Sequence, residues 1–199
     1  MNESPAERKA ILRREIRDTL KRLSPAQHAA DSVCLVERLR EQSIWREARS
    51  VLLFLPIGLE PAIGVLLDDA LAAGKIVALP RFVAATDSYE PARIESPSTE
   101  LASGPSHIQE PAPRCPNFPA NRLDFVLVPG IGFSLAGGRL GRGKGHYDRL
   151  LVKVPGWKCG VAFDCQLIAE LPMEPHDVRL NCILTPTRWQ VVSPAPVLR

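Results

Sequence analysis

Apolar residues near the start of the chain recur every three or four positions, which is the spacing of one face of a helix. Ser4, Pro5 and Glu7 precede them and provide a capping box with proline at the first helical position. The chain is therefore predicted to open with an amphipathic helix, whose buried stripe comprises Leu12, Ile16, Leu20 and Leu23.

Ser24 and Pro25 repeat this start signal and introduce a second helical pattern, which is expected to run to about Gln42. The residues expected to share its buried face are Ala29, Val33, Val36 and Arg40. Two consecutive helices are therefore predicted to precede the first strand.

The pattern then changes to short, continuous apolar runs. Residues 51–55 are apolar at every position, as expected for a strand buried on both faces of a parallel sheet. A helical pattern over residues 63–71, ended by Gly74, leads to a second strand at residues 76–79, before Pro80. This order of elements predicts a right-handed crossover between two parallel strands.

Periodicity fades between residues 83 and 121, which are expected to form a long excursion over the sheet with a short edge strand at residues 89–94. Further strands are predicted at residues 125–128, 160–163, 182–184 and 190–192, and a short helix near residues 166–171. The predicted fold is a single α/β domain over residues 1–199, a three-layer α/β/α arrangement with helices on both faces of an open, mostly parallel sheet.

Composition and charge exclude several classes of protein. A chain of 199 residues with 45% hydrophobic and 24% charged residues can bury a full core in one globular domain. The net charge of +3 is too small to indicate nucleic-acid binding by itself. No secretory leader pattern and no apolar run of membrane-spanning length is found, so we expect no membrane partner.

The five cysteines are an odd number, and they are scattered without the spacing of a zinc site. Free thiols are typical of a reducing compartment, so we expect a cytoplasmic protein. The cysteines are Cys34, Cys115, Cys159, Cys165 and Cys182.

The most informative stretch follows the predicted strand at residues 125–128. Residues 137–145 combine five glycines with Arg139, Arg142 and Lys144, so the backbone can approach a ligand closely while three cations share a small volume. A helical pattern follows the last glycine, which places a helix N-terminus beside the loop. The stretch therefore predicts an oligophosphate site, whereas a flexible turn with solvated charges would need fewer glycines.

Two common phosphate-binding motifs do not fit this loop. The first seven places of a Walker-type loop are matched from Gly138 to Lys144, but Gly145 in the eighth place has no hydroxyl for Mg²⁺. In the dinucleotide motif the third glycine would fall on His146. What remains is a basic, glycine-rich loop with Asp148 one turn into the helix, where its carboxylate could hold a phosphate-bound metal.

Three smaller groups of residues allow two interpretations each. Lys9 and Arg13 lie one helical turn apart and are either solvated surface or ligands. Glu60 follows the first strand, where open α/β sheets bind ligands, but it also fits the first turn of the next helix. His176 and Asp177 are either an ordinary turn or a metal-binding pair.

Taken together, these motifs resemble those of the 5-formyltetrahydrofolate cyclo-ligases, also called methenyltetrahydrofolate synthetases. The resemblance runs from about Lys9 to Thr185, and its most specific block is RLGRGKGHYDR at residues 139–149. Weaker support comes from residues 9–13 (KAILR), 54–60 (FLPIGLE), 80–81 (PR), 110–111 (EP), 128–133 (VPGIGF), 162–163 (AF), 166 (Q), 171–172 (LP) and 176–177 (HD).

The resemblance implies an enzyme that converts 5-formyltetrahydrofolate to 5,10-methenyltetrahydrofolate with ATP as co-substrate and Mg²⁺, releasing ADP and phosphate. It implies small-molecule partners, a reduced folate and ATP, and no nucleic acid. We expect a monomer in preference to an oligomer.

The same resemblance implies roles for individual residues. Arg142 and Lys144 would stabilise charge on the transferred phosphoryl group, and Asp148 and Asp177 would bind Mg²⁺. The implied ATP contacts are Lys9, Ala10, Ile11, Leu12, Arg13, Arg139, Leu140, Gly141, Arg142, Gly143, Lys144, Gly145, His146 and Tyr147. The implied folate contacts are Leu55, Glu60, Arg142, Gly143, Lys144, Gly145 and His146.

The chain departs from the family pattern at two places. His146 and Tyr147 stand where the family commonly has an aromatic pair, and Ala62 and Ile63 replace a common acidic residue and threonine.

One alternative is a non-catalytic relative that binds nucleotide or RNA through the basic loop, although its cations are interleaved with few aromatic residues. A small-molecule kinase is a further alternative, for which no second substrate site is evident in the sequence.

Overall fold

The computed structural model describes residues 4–104 and 108–192 of the chain. Its helices are α1 (Pro5–Leu20), α2 (Pro25–Arg40), α3 (Ser43–Glu47), α4 (Val65–Ala72), α5 (Pro97–Glu100) and α6 (His146–Leu151). Short 3₁₀ turns occupy Ala84–Thr86, Ala120–Arg122 and Asp164–Gln166.

The strands form one large sheet and two small ones. They are β1 (Ser50–Leu52), β2 (Ile76–Val83), β3 (Ser88–Ile94), β4 (Leu101–Ser103), β5 (Gln109–Pro111), β6 (Phe125–Val128), β7 (Gly132–Ser134), β8 (Arg139–Leu140), β9 (Trp157–Val161), β10 (Leu167–Ile168), β11 (Cys182–Leu184) and β12 (Trp189–Val191). The seven-stranded sheet has the order β12-β11-β9-β6-β1-β2-β3.

The five inner strands of this sheet are mutually parallel, whereas β3 and β12 pair antiparallel at its two edges. Strand β1 pairs with β2 across the predicted crossover, with Val51 opposite Val77. The predicted α/β fold with a mostly parallel sheet is therefore confirmed.

Alternate residues of the inner strands face two separate apolar layers. Val51 and Leu53 pack with side chains of α1 to α4 on one face, whereas Leu52 packs on the other face with Leu150 and Leu151 of α6. Burial on both faces explains why the first strand is apolar at every position. Helices cover both faces as predicted, but the second layer contains a short helix, α6, together with Phe133 of β7.

The stripe predicted for α2 was right at Val36 and wrong at Ala29, Val33 and Arg40, which are exposed because the helix is rotated. Val33 is 55% exposed, whereas Leu35 and Leu39 are fully buried. Two leucines bury more apolar surface than Ala29 and Arg40, so the helix turns this larger face to the sheet. The buried residues of the helix are Ser32, Leu35, Val36 and Leu39.

The predicted helix at residues 166–171 was also wrong, because side-chain hydrogen bonds favour a turn and a strand. Gln166 accepts from the backbone N–H of Phe163 at 2.8 Å and donates to the carbonyls of Gly130 and Ile131. Residues Leu167–Ile168 then pair with β7 as β10. Strand β2 continues through Pro80, which lies opposite Pro91 of the edge strand.

The long excursion contains the predicted edge strand, β3, and further short elements. Strands β4 and β5 form a two-stranded antiparallel sheet after α5. The carboxylate of Glu110 in β5 accepts a hydrogen bond from the backbone N–H of Phe82 in β2. A hydrogen bond thus joins the excursion to β2 near its carboxyl end.

Two further features bear on the sequence predictions. All five cysteines are free thiols, as expected. Within residues 4–104 and 108–192, no helix combines the length and apolarity needed to cross a membrane.

We predict that Gly156→Ala destabilises the fold. A Cβ at this position would lie 2.1 Å from the carbonyl oxygen of Leu123 and 2.5 Å from that of Asp124, so backbone must shift to admit it. Overpacking of this kind should lower the free energy of unfolding by about 2 kcal/mol. Gly64→Ala is the control, because nothing lies within 4 Å of its Cβ position. Denaturant titration of both variants checks the difference, and equal stabilities would contradict it.

Candidate active site

A cavity of 620 Å³ opens at the carboxyl ends of β1, β2 and β6. Leu55, Pro80 and Gly130, which lie in or beyond these strands, contribute to its lining. The chain leaves β1 towards β2 on one side and leaves β6 towards β9 on the other, so the two central strands form a topological switch point. Ligands of open α/β sheets bind in the crevice at such a point.

The glycine-rich loop forms one wall of this cavity. Strand β8 leads into it, and α6 begins directly after Gly145. Gly143 and Gly145 have φ of 101° and 65°, which favour glycine because other residues are strained there. Arg13 of α1 donates from Nε to the carbonyl oxygen of Gly141 at 2.9 Å, which fixes the first helix to the loop.

The loop reaches the carboxylate predicted to bind substrate. Arg142 Nη2 lies 2.8 Å from Glu60 Oε1. The second oxygen of Glu60 accepts the backbone N–H of Ile57 at 3.0 Å. Lys144 also lines the cavity, and its exposed side chain forms no ion pair with any residue in the described part of the chain. It is therefore available to an anionic ligand.

A buried ion pair lies behind the loop. Arg139, whose side chain is 5% exposed, bonds from Nη2 to Asp148 Oδ2 at 2.7 Å. Its guanidinium carbon lies 5.6 Å from the centre of the Tyr147 ring. The Nε of Arg139 is buried and finds no hydrogen-bond partner among the residues described. Arg139 is thus held against α6 with one donor unused.

Lys9 of α1 joins the opposite side of the cavity to the segment before β11. Its ammonium group lies 2.7 Å from both Glu174 Oε2 and Asp177 Oδ2, with the Lys9 side chain 8% exposed. Burial acts to raise the pKa of Asp177, but hydrogen bonds from Lys9 and the backbone of Glu174 outweigh it and hold the pKa below its ordinary value. Burial likewise acts to lower the pKa of Lys9, and the two carboxylates raise it above its ordinary value.

An aromatic wall, which the sequence did not reveal as a unit, completes the cavity. His146 packs against Phe82 and Tyr89 at ring-centre distances of 5.4 and 5.2 Å, and Tyr89 lies 5.7 Å from Tyr147. Burial raises the pKa of Tyr147, so this phenol is neutral at physiological pH. Flat apolar surface beside several charges can bind a ring system that carries polar groups.

The cavity brings together most of the residues predicted to contact ATP or folate. Ala10, Ile11 and Leu12 lie elsewhere, and Leu12 is buried in the core. The predicted residues that line the cavity are Lys9, Arg13, Leu55, Glu60, Arg139, Leu140, Gly141, Arg142, Gly143, Lys144, Gly145, His146, Tyr147, Asp148 and Asp177.

The two predicted metal ligands have different surroundings. Asp177 lies with Glu174 and His176 in a group whose potential ligand atoms are within 4.8 Å of one another. The carboxylates of Asp177 and Glu174 converge on the ammonium group of Lys9, which lies 2.7 Å from an oxygen of each. Both oxygens of Asp148 are engaged, one by Arg139 and one by the backbone N–H of Val178 at 3.4 Å.

Comparison with known proteins assigns the family. The family model described as "5-formyltetrahydrofolate cyclo-ligase family" matches residues 5–186. The chain belongs to the 5-formyltetrahydrofolate cyclo-ligase family. The resemblance drawn from the loop and its neighbouring motifs is therefore confirmed.

Individual relatives of this family are similar over most of the chain. The 5-formyltetrahydrofolate cyclo-ligase of Mus musculus is 28% identical over 87% of this chain and 91% of its own length. That of Mycolicibacterium smegmatis is 36% identical over 70% and 75%. The solved structure of Aquifex aeolicus 5,10-methenyltetrahydrofolate synthetase aligns with a TM-score of 0.84 and 29% identity, covering 96% of both chains.

We predict that Lys9→Met destabilises the protein in a pH-dependent way. Removal of the ammonium group leaves two partly buried carboxylates unpaired, which should lower the free energy of unfolding by about 2 kcal/mol at pH 7. Because the pKa of Asp177 is depressed in the folded state, this stabilisation is present above about pH 4 and is lost as the pH falls further.

Denaturant titration between pH 7 and pH 3 checks this prediction. The difference between wild type and Lys9→Met should shrink below pH 4. Lys21→Met is the matched control, since Lys21 pairs with Asp18 at an exposed position and its loss should change stability by less than about 0.5 kcal/mol. A difference that does not depend on pH would contradict the assigned role of the Lys9 pair.

Proposed function

We propose that this protein is a 5-formyltetrahydrofolate cyclo-ligase that uses ATP and Mg²⁺ to form 5,10-methenyltetrahydrofolate, releasing ADP and phosphate. The formyl oxygen takes the terminal phosphoryl group of ATP, which makes it a good leaving group. The neighbouring anilinic nitrogen then attacks the formyl carbon and loses its proton, the ring closes, and phosphate departs. The names of the matched relatives support the overall reaction.

The observation that carries the proposal is the sharing of one cavity by Glu60 and the cationic loop. The contact between Arg142 and Glu60 at 2.8 Å means that a ligand bound to one lies within reach of a ligand bound to the other. Phosphoryl transfer needs its two reactants side by side, because positioning supplies much of the rate enhancement.

In this proposal the cationic side chains of the loop stabilise negative charge on the phosphates. Arg142 and Lys144 neutralise negative charge that develops on the transferred phosphoryl group, and preorganised cations do this with little reorganisation. Lys9 and Arg13 hold the remaining phosphates from α1. Glu60 accepts hydrogen bonds from the amino and ring N–H groups of the pterin.

We propose Asp148 and Asp177 as Mg²⁺ ligands, with Glu174 beside Asp177. Binding of the ion would require Lys9 to release Asp177 and Arg139 to release Asp148. Mg²⁺ would supply neutralising charge to phosphate oxygens while keeping several of its waters. A cytoplasmic location and a monomeric state stay predictions from the sequence.

The proposal is tested by mixing the purified protein with 5-formyltetrahydrofolate, ATP and Mg²⁺. Absorbance at the band of the methenyl product should grow, and omission of ATP or chelation of Mg²⁺ should stop it. Absence of turnover together with RNA binding would favour the non-catalytic alternative.

We predict that Lys144→Ala lowers turnover about 10²-fold, since it removes one charge stabiliser at the reacting phosphoryl group. Lys153→Ala is the control, because Lys153 is exposed just after α6 and does not line the cavity. Steady-state rates at saturating ATP and folate compare the two variants. An unchanged rate in Lys144→Ala would remove this lysine from the mechanism.

We predict that Glu60→Gln chiefly weakens folate binding. The amide keeps the size of the side chain but has no negative charge, so it accepts hydrogen bonds from the pterin N–H groups less strongly. The KM for 5-formyltetrahydrofolate should therefore rise about tenfold. The KM for ATP serves as an internal control and should change little. Normal folate affinity in this variant would refute the assigned role of Glu60.

A further inference from the structure

Glu110 is a further carboxylate that lines the cavity, together with Phe82 and Tyr89. It is 7% exposed and lies in β5. Its Oε2 accepts the backbone N–H of Phe82 at 3.0 Å. No other hydrogen bond and no ion pair reaches this carboxylate from the residues that the structure describes. A buried carboxylate without a cation is costly unless a ligand supplies donors.

The surrounding backbone is shaped to keep this carboxylate in place. Strand β1 pairs with β2 only as far as Ala78, so β2 presents an open edge at Phe82 and Glu110 takes its N–H. A Cβ at Gly104 would lie 2.7 Å from Glu110 Cδ, so glycine at this position leaves room for the carboxyl group. Glu110 lines the cavity together with Phe82 and Tyr89 of the aromatic wall. Burial raises the pKa of Tyr89, and the negative charge of Glu110 adds to that shift.

Glu60, the carboxylate assigned to the pterin, already has one protein partner at each oxygen. Both oxygens of Glu60 have partners, Arg142 and the N–H of Ile57, whereas Glu110 has one oxygen without a partner among the described residues. The pyrimidine part of a pterin carries two hydrogens on its amino group and further ring N–H groups. One bidentate carboxylate cannot accept all of these donors.

We propose that Glu110 is a further substrate-binding residue, which accepts hydrogen bonds from the amino-pyrimidine edge of the pterin while the ring lies along Phe82 and Tyr89. This inference rests on the proposed function. It assigns recognition of the pterin to two carboxylates, Glu60 and Glu110. Selectivity for 2-amino pterins follows, because a ring without that group leaves a buried carboxylate unpaired.

The test compares wild type with Glu110→Gln, using direct binding of 5-formyltetrahydrofolate and of its 2-desamino analogue. The amide oxygen of glutamine can still accept the Phe82 N–H, so a purely structural role predicts unchanged folate binding. The proposal predicts a rise of about tenfold in the Kd for 5-formyltetrahydrofolate and an unchanged KM for ATP. Wild type should discriminate against the analogue about tenfold, and Glu110→Gln should lose most of this discrimination.

Three outcomes decide the matter. Loss of discrimination in Glu110→Gln supports the proposal. If the wild-type protein converts the folate while Glu110→Gln keeps normal affinity and discrimination, the role of Glu110 alone is overturned. Failure of wild type to bind or convert the folate overturns both this role and the proposed function. If Glu110→Gln does not fold, Glu110→Asp is used, since it keeps the charge but withdraws the carboxylate and should also weaken folate binding.

Discussion

The parallel pairing of β1 with β6 is the constraint on which the rest of the site depends. These strands are central neighbours, but the chain continues from them in opposite directions across the sheet. Because the connections lead away from each other, a crevice opens between the carboxyl ends of the two strands. The segment after β1 supplies Glu60 to one side of it, and the loop after β8 supplies Arg142 and Lys144 to the other.

Charge at this crevice is largely balanced within the protein. Lys9 pairs with Glu174 and Asp177, Arg139 with Asp148, and Arg142 with Glu60. Pairing offsets the desolvation cost of charges that lie partly or wholly out of water. A nucleotide or a pterin that binds to these side chains must therefore replace existing ion pairs. Its affinity depends on how much stronger its contacts are than the ion pairs that it replaces.

The aromatic wall gives the departure at His146 a structural context. His146 lies between Phe82 and Tyr89, and its Nε2 is 3.3 Å from Asp87 Oδ1 in the turn before β3. Asp87 also contacts Arg149 of α6. A histidine at this position can both pack in the wall and bond to the turn, whereas a purely aromatic residue could only pack. The hairpin of β2 and β3 is thereby tied to the start of α6.

The sequence by itself determined the α/β class, the parallel crossover and the strand at Phe125–Val128, because apolar runs and glycine stops reflect local geometry and burial. It also indicated the basic loop, Glu60, Lys9 and Arg13, since unusual residue types at fixed spacing are visible without contacts. Only the tertiary structure decided which face of α2 is buried, that Gln166 forms a turn, and that Asp148 pairs with Arg139. It alone brought Phe82, Tyr89 and Glu110 to the cavity, because they belong to segments distant along the chain whose meeting depends on sheet order and loop path.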